Sequence, residues 1–314
     1  MSYFKNKNPK WGKSQTWAWK GIQCHWRVLG EKNKQPLLLI HGFGASSDHW
    51  RNNAHFFAES GFRVYGMDLI GFGKSEQPST SITKRLDNKF WSEQIADFLR
   101  EIVLKNENQK AILIGNSLGG LAAVTVSRFH SELVSAVIAA PLPDPIFMQS
   151  ICIKLPSWLV RLKKYFVHIF FKLLPLEIFI PLIVKTRLLK SALQLAYYKS
   201  IKSDVELLRI VKQPAKRSTA ARALRAMCIG MSTRNIVHTA PLLLESIAKS
   251  PNQSPILLVW GRQDKLVPLN IGRKIIKEYP WLKLLILENT GHCPHDESSD
   301  KFNQYVLNWL KLNL

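Results

Sequence analysis

The chain has 314 residues and is 46% hydrophobic, enough for a large buried core and too apolar for a mainly disordered polymer. Its net charge of +22 is the compositional outlier: so basic a surface attracts nucleic acid or anionic membrane, and says nothing of fold. Four cysteines, Cys24, Cys152, Cys228 and Cys293, stand without CxxC spacing or His partners at ligand intervals, the pattern of reduced thiols rather than of a disulfide framework or a zinc site.

Residues 1–20 carry Lys5, Lys7 and Lys10 but no uninterrupted apolar run and no small-residue cleavage site. They do not read as a secretory signal, so a cytoplasmic protein is expected. Residues 16–29, aromatic and β-branched around Gly21, suit a leading antiparallel hairpin. Short apolar runs at 35–42, 63–68, 111–115, 134–140, 256–261 and 283–288 read as strands buried on both faces of a parallel sheet. Helix-period segments at 48–60, 89–104, 118–130, 269–278 and 300–312 alternate with them, which predicts an α/β, doubly wound, mostly parallel sheet.

The alternation fails over residues 141–243, helix-like throughout and too long for a loop. We expect an inserted helical cap there, dividing a core made of residues 1–140 and 244–314. Residues 151–235 hold seventeen Lys and Arg against three acids, so a net +14 sits in this insertion. Its first part, 157–174, mixes large apolar side chains with Arg161, Lys163, Lys164 and Lys172, as a basic interfacial helix does. Lys172, Pro175, Glu177 and Pro181 interrupt it before the ~20 apolar residues of a membrane span.

Gly115-Asn-Ser-Leu-Gly119 follows an apolar strand and precedes a helix, the context of a nucleophile elbow with Ser117 at its tip. A serine hydroxyl needs a base, and the base an orienting acid, downstream in the order acid then His. Asp264 lies in a turn just past one strand and His292 in the loop after the last; Asp144, past the sixth strand, is the alternative acid. The amide of Leu118, next to the nucleophile, is one donor for an oxyanion. His41 is expected to hold its loop. His295, Asp296 and Glu297 are expected to open the final helix, where acids suit the N-terminal dipole. Lys74-Ser75 lacks the first glycine of a phosphate loop, because position 68 is Asp.

With His41-Gly-Phe-Gly-Ala-Ser-Ser-Asp-His-Trp-Arg51, Asp68-Leu-Ile-Gly-Phe-Gly-Lys-Ser75, Trp260-Gly-Arg-Gln-Asp264 and Gly291-His-Cys-Pro-His-Asp-Glu297, the chain resembles the α/β-hydrolase superfamily from about Trp17 onward. Gly-Asn-Ser-Leu-Gly-Gly together with Gly-His-Cys-Pro-His-Asp-Glu is similar to its plastid and cyanobacterial branch that includes pheophytinase, which removes a phytol ester. The resemblance implies an eight-stranded sheet and makes Phe43 the second oxyanion donor, its ring forming one pocket wall. A serine at the elbow argues against the aspartate chemistry of epoxide hydrolases and haloalkane dehalogenases.

The expected activity is hydrolysis of a lipophilic ester through an acyl-enzyme, with Ser117, His292 and Asp264 catalytic and Phe43, Asn116 and Trp158 as substrate contacts. No metal or cofactor is called for. Trp158, Phe166, Phe170, Phe171 and Phe179 make the cap apolar, and its basic residues suit peripheral contact with anionic membrane. Carbon–carbon bond hydrolase, thioesterase and lyase chemistry on the same residues stay open, as does a binding scaffold without turnover. Nucleic acid is disfavoured: no helix-turn-helix, RNP or zinc pattern accompanies the charge.

Overall fold

The computed structural model describes residues 11–77, 86–105, 109–148, 156–251 and 253–314. The first ten residues and Cys152 lie outside the described residues, as does the side chain of Lys163.

β1 (Lys13–Trp19) and β2 (Ile22–Leu29) form the expected hairpin, antiparallel through Trp19 opposite Ile22. β3 (Gln35–Ile40) follows, then a 3-10 turn (Ser47–Trp50), α1 (Ala54–Glu59) and β4 (Phe62–Met67). The single helix expected over 48–60 is thus broken. Asn53 sits at the break because its side chain turns inward, donating to the His295 carbonyl at 2.9 Å and to Asn303 Oδ1 at 2.7 Å. α2 (Asn88–Phe98) starts where Asp87 accepts from the Phe90 amide, and it runs on into a π turn. β5 (Ala111–Asn116), α3 (Leu118–Phe129) and β6 (Val134–Ala140) complete the first half.

After β6 come helices: α4 (Ser157–Leu173), α5 (Leu176–Lys185), α6 (Leu188–Ala196), α7 (Val205–Ala215), α8 (Ala220–Thr233) and α9 (Ala240–Ala248). α9 crosses the boundary expected at residue 243, because Ala240, Leu243 and Leu244 are buried in the core and the helix packs on α3. β7 (Ile256–Gly261), α10 (Leu269–Glu278), β8 (Lys283–Leu287), the short α11 (Pro294–Glu297) and α12 (Ser299–Asn313) close the chain.

The eight strands make one sheet in the order β1-β2-β4-β3-β5-β6-β7-β8, antiparallel at β1-β2 and β2-β4 and parallel elsewhere. Both faces are covered, as the unbroken apolar runs require. Within β3, Leu38 and Ile40 enter one buried cluster while Leu37 and Leu39 enter the other, the two-residue alternation of a strand inside two cores. All parallel strands point the same way, so the loops after β3, β5, β7 and β8 meet along one edge.

Candidate active site

Ser117 sits between β5 and α3 with φ 51° and ψ −114°, a conformation that costs an L-residue about 1–3 kcal/mol and holds its side chain clear of strand and helix. The turn is tight: a Cβ on Gly119 would stand 2.3 Å from the Ile40 carbonyl oxygen, so only glycine fits. Asn116 steadies it, its Nδ2 donating to the Ala140 carbonyl at 2.6 Å and to the His292 carbonyl at 3.2 Å.

The structure brings three expected residues into one hydrogen-bonded line. His292 Nδ1 lies 2.9 Å from Asp264 Oδ2, and its Nε2 lies 2.8 Å from Ser117 Oγ. Nδ1 faces a carboxylate and therefore carries the proton, which leaves Nε2 as the acceptor for the serine hydroxyl. Asp264 is fixed in turn, since its Oδ1 accepts from the Leu266 and Val267 amides, both at 2.9 Å. Asp144 is engaged elsewhere: its Oδ2 accepts from Arg234 and from the Ala240 amide, each at 2.7 Å.

The loop after β3 runs against the elbow, where a Cβ on Gly42 would meet Asn116 Oδ1 at 2.6 Å. His41 holds that loop with both ring nitrogens: Nδ1 donates to the Gly42 carbonyl at 2.7 Å, and Nε2 accepts from the Leu69 amide at 3.0 Å. Burial lowers its pKa, which keeps the ring neutral for that pair of bonds. The Phe43 and Leu118 amides, the two expected oxyanion donors, have no acceptor among the described residues.

A cavity of about 300 Å³ opens above Ser117, walled by Phe43, His49, Asn116, Leu193, Tyr197 and Cys293. A second compartment of about 280 Å³ adjoins it, sharing Phe43, Leu189, Ala192 and Val211 and reaching Ile180, Ile183 and Val184 on α5. Trp158, expected against the substrate, lines neither. It is 62% exposed on α4, because that helix packs on α8 and turns its aromatic side outward.

Beneath the cavity lies a buried network that sequence reasoning missed. Arg51 Nε and Nη2 donate to Asp296 at 2.9 and 3.0 Å, and Nη1 and Nη2 donate to Asp204 of the insertion at 2.9 and 2.6 Å. Tyr197 donates to Asp296 at 2.9 Å and stands 2.8 Å from His49 Nε2. Burial opposes charge on Asp296, yet His49 and Arg51 outweigh it and hold the carboxyl well below the usual range. Asp296 stands in the first turn of the short α11, directly ahead of the final helix it was expected to open, and its carboxylate pairs with Arg51, 245 positions earlier in the chain. Glu297 likewise turns back, its carboxylate accepting from the Gly291 and Lys199 amides. The His292 amide donates to the Ala196 carbonyl at 2.7 Å, tying the histidine loop to α6.

Residues 35–168 match the family model described as the alpha/beta hydrolase fold. A 2-hydroxy-6-oxononadienedioate/2-hydroxy-6-oxononatrienedioate hydrolase of Pseudomonas is 24% identical over 88% of each chain. A pimeloyl-[acyl-carrier protein] methyl ester esterase of Vibrio cholerae is 26% identical over 91% of this chain and 97% of its own. Among solved structures, a thermophilic esterase from Thermogutta terrifontis superposes with a TM-score of 0.67, at 18% identity over 96% of this chain and all of its own, a likeness of fold. On sheet order, elbow and sequence match together, the chain has the α/β-hydrolase fold and is similar in sequence to hydrolases built on it.

Proposed function

We propose that this chain is a serine hydrolase cleaving an ester of a neutral, lipophilic substrate. One observation carries the reading: the line from Ser117 Oγ through His292 to Asp264 stands at the floor of an apolar cavity. His292 Nε2 takes the Ser117 proton as Oγ attacks the ester carbonyl, and the Phe43 and Leu118 amides receive the oxyanion. As the carbon–oxygen bond to the leaving alcohol breaks, the imidazolium returns that proton to the alcohol. Water, deprotonated by His292, then attacks the acyl carbonyl and releases the acid and free Ser117. Asp264 stays ionised throughout and holds the imidazole in the required tautomer.

The Pseudomonas relative's name supports a second reading, carbon–carbon bond hydrolysis on the same three residues. The cavity walls favour the ester. A dienedioate carries two carboxylates, whereas neither compartment has a Lys or Arg among its described walls. The Vibrio relative's name supports ester chemistry. The pheophytinase-like reading rests on the two motifs alone and is one arm of the substrate test. A screen of esters graded by chain length, phytyl esters included, against wild type and Ser117→Ala tests the proposal. Turnover of lipophilic esters abolished by Ser117→Ala is expected; turnover that survives the substitution, or is confined to the dienedioate, contradicts it.

A further inference from the structure

α4 is amphipathic the wrong way round for a core helix. Trp158, Leu162, Tyr165, Phe166, Phe170 and Leu173 share one helical face, and that face is exposed, 60% at Phe166 and 74% at Leu173. α5 continues it with Ile178, 68% exposed, beside Phe179 and Leu182. Among the described residues no single helix is long and apolar enough to cross a membrane. The stretches Lys164–Leu173 and Leu176–Lys185 pass that test only together, bent by 60° where Pro175 intervenes. A bent pair of that kind suits lying in an interface rather than spanning it.

Charge says what covers this face. Between Ser157 and Ala196 the sequence holds seven Lys and Arg and one acid, Glu177, whose carboxylate is already paired with Arg225 at 2.6 Å. Arg161, Lys172, Lys185 and Arg187 are exposed beside the apolar side chains. A second copy of the chain would bring like charge to this surface. An anionic bilayer offers opposite charge and an apolar interior at once.

We propose that the outward faces of α4 and α5 seat on an anionic lipid bilayer, with their aromatic and aliphatic side chains at the acyl boundary and the flanking Lys and Arg at the headgroups. α5 then stands between lipid and substrate site, for Ile178, Phe179 and Leu182 face out while Ile180 and Val184 wall the second compartment. A lipophilic ester dissolved in the bilayer reaches Ser117 beneath this helix, a consequence that rests on the ester-hydrolase reading above.

The test is flotation of the full chain with vesicles of phosphatidylcholine alone or mixed equally with phosphatidylglycerol, alongside turnover of a short water-soluble ester. Wild type is expected to float with the anionic vesicles about ten-fold more than with the neutral ones, and the Phe166→Glu/Phe170→Glu variant to lose that binding while its soluble turnover stays unchanged. Should that variant misfold, Arg161→Gln/Lys172→Gln/Lys185→Gln keeps the apolar face and is expected to lose the preference for anionic lipid. Binding indifferent to lipid charge overturns the proposal. So does binding retained in both variants, or a lipid-free dimer that the two glutamates dissociate. Flotation without any ester turnover sinks the hydrolase reading and leaves the surface standing; turnover without flotation does the reverse.

Discussion

Arg51, buried just after the 3-10 turn that follows β3, holds Asp204 at the start of α7 in a two-bonded grip of 2.9 and 2.6 Å. The same guanidinium neutralises Asp296 beside the histidine loop, so one side chain joins the sheet edge, the inserted helices and the segment that carries His292. Removing it leaves Asp296 charged and sealed from water. Arg51→Met is expected to destabilise the fold by about 3–5 kcal/mol, and Asp204→Asn by less, because Asp204 is partly solvated. Denaturant titration of the two variants measures both.

Acid is expected to loosen this region first. His49 lies beneath the cavity among Tyr197, His295, Asp296 and Arg51, and burial lowers its pKa from 6.5 to about 4. The unfolded chain therefore binds that proton before the folded one does. Stability from this group is complete above pH 6.5 and is lost as pH falls toward 4, by at most about 3 kcal/mol. Unfolding free energies at pH 7, 5.5 and 4.5 are expected to fall less steeply for His49→Gln than for wild type.

Gly119 is expected to tolerate no side chain, for the nearest atoms to a Cβ there belong to the backbone of β3. Gly119→Ala should cost about 1–3 kcal/mol by overpacking and displace Ser117 from His292. A lowered unfolding midpoint, with ester turnover reduced more than stability accounts for, is the measurement.

Leu189 on α6 stands in the wall shared by the two compartments. Leu189→Trp is expected to close the passage, cutting kcat/KM for long-chain esters about ten-fold or more while sparing acetyl esters. Equal losses at every chain length would show that the second compartment takes no part in binding.

The sheet was legible because each parallel strand is apolar on both faces, and the elbow because Gly-x-Ser-x-Gly follows such a strand. Asp264 and His292 could be located because each lies in the loop that follows a strand of that kind. Arg51, Tyr197, Asp204 and Asp296 could not. Their pairing joins residues up to 245 positions apart, and in sequence each looks like an ordinary surface polar group. The quoted motifs contained Arg51 and Asp296, and only the fold shows that they are partners. Trp158 was misjudged for a related reason: an amphipathic pattern gives a helix its two faces, but not which of them turns inward.

The most direct measurement is labelling with a fluorophosphonate, followed by mass spectrometry of the peptide spanning residues 111–128. One adduct is expected, on Ser117, forming at least about a hundred-fold more slowly in His292→Gln because the hydroxyl then lacks its base. Labelling at another residue, or at Ser117 at an unchanged rate without His292, contradicts it.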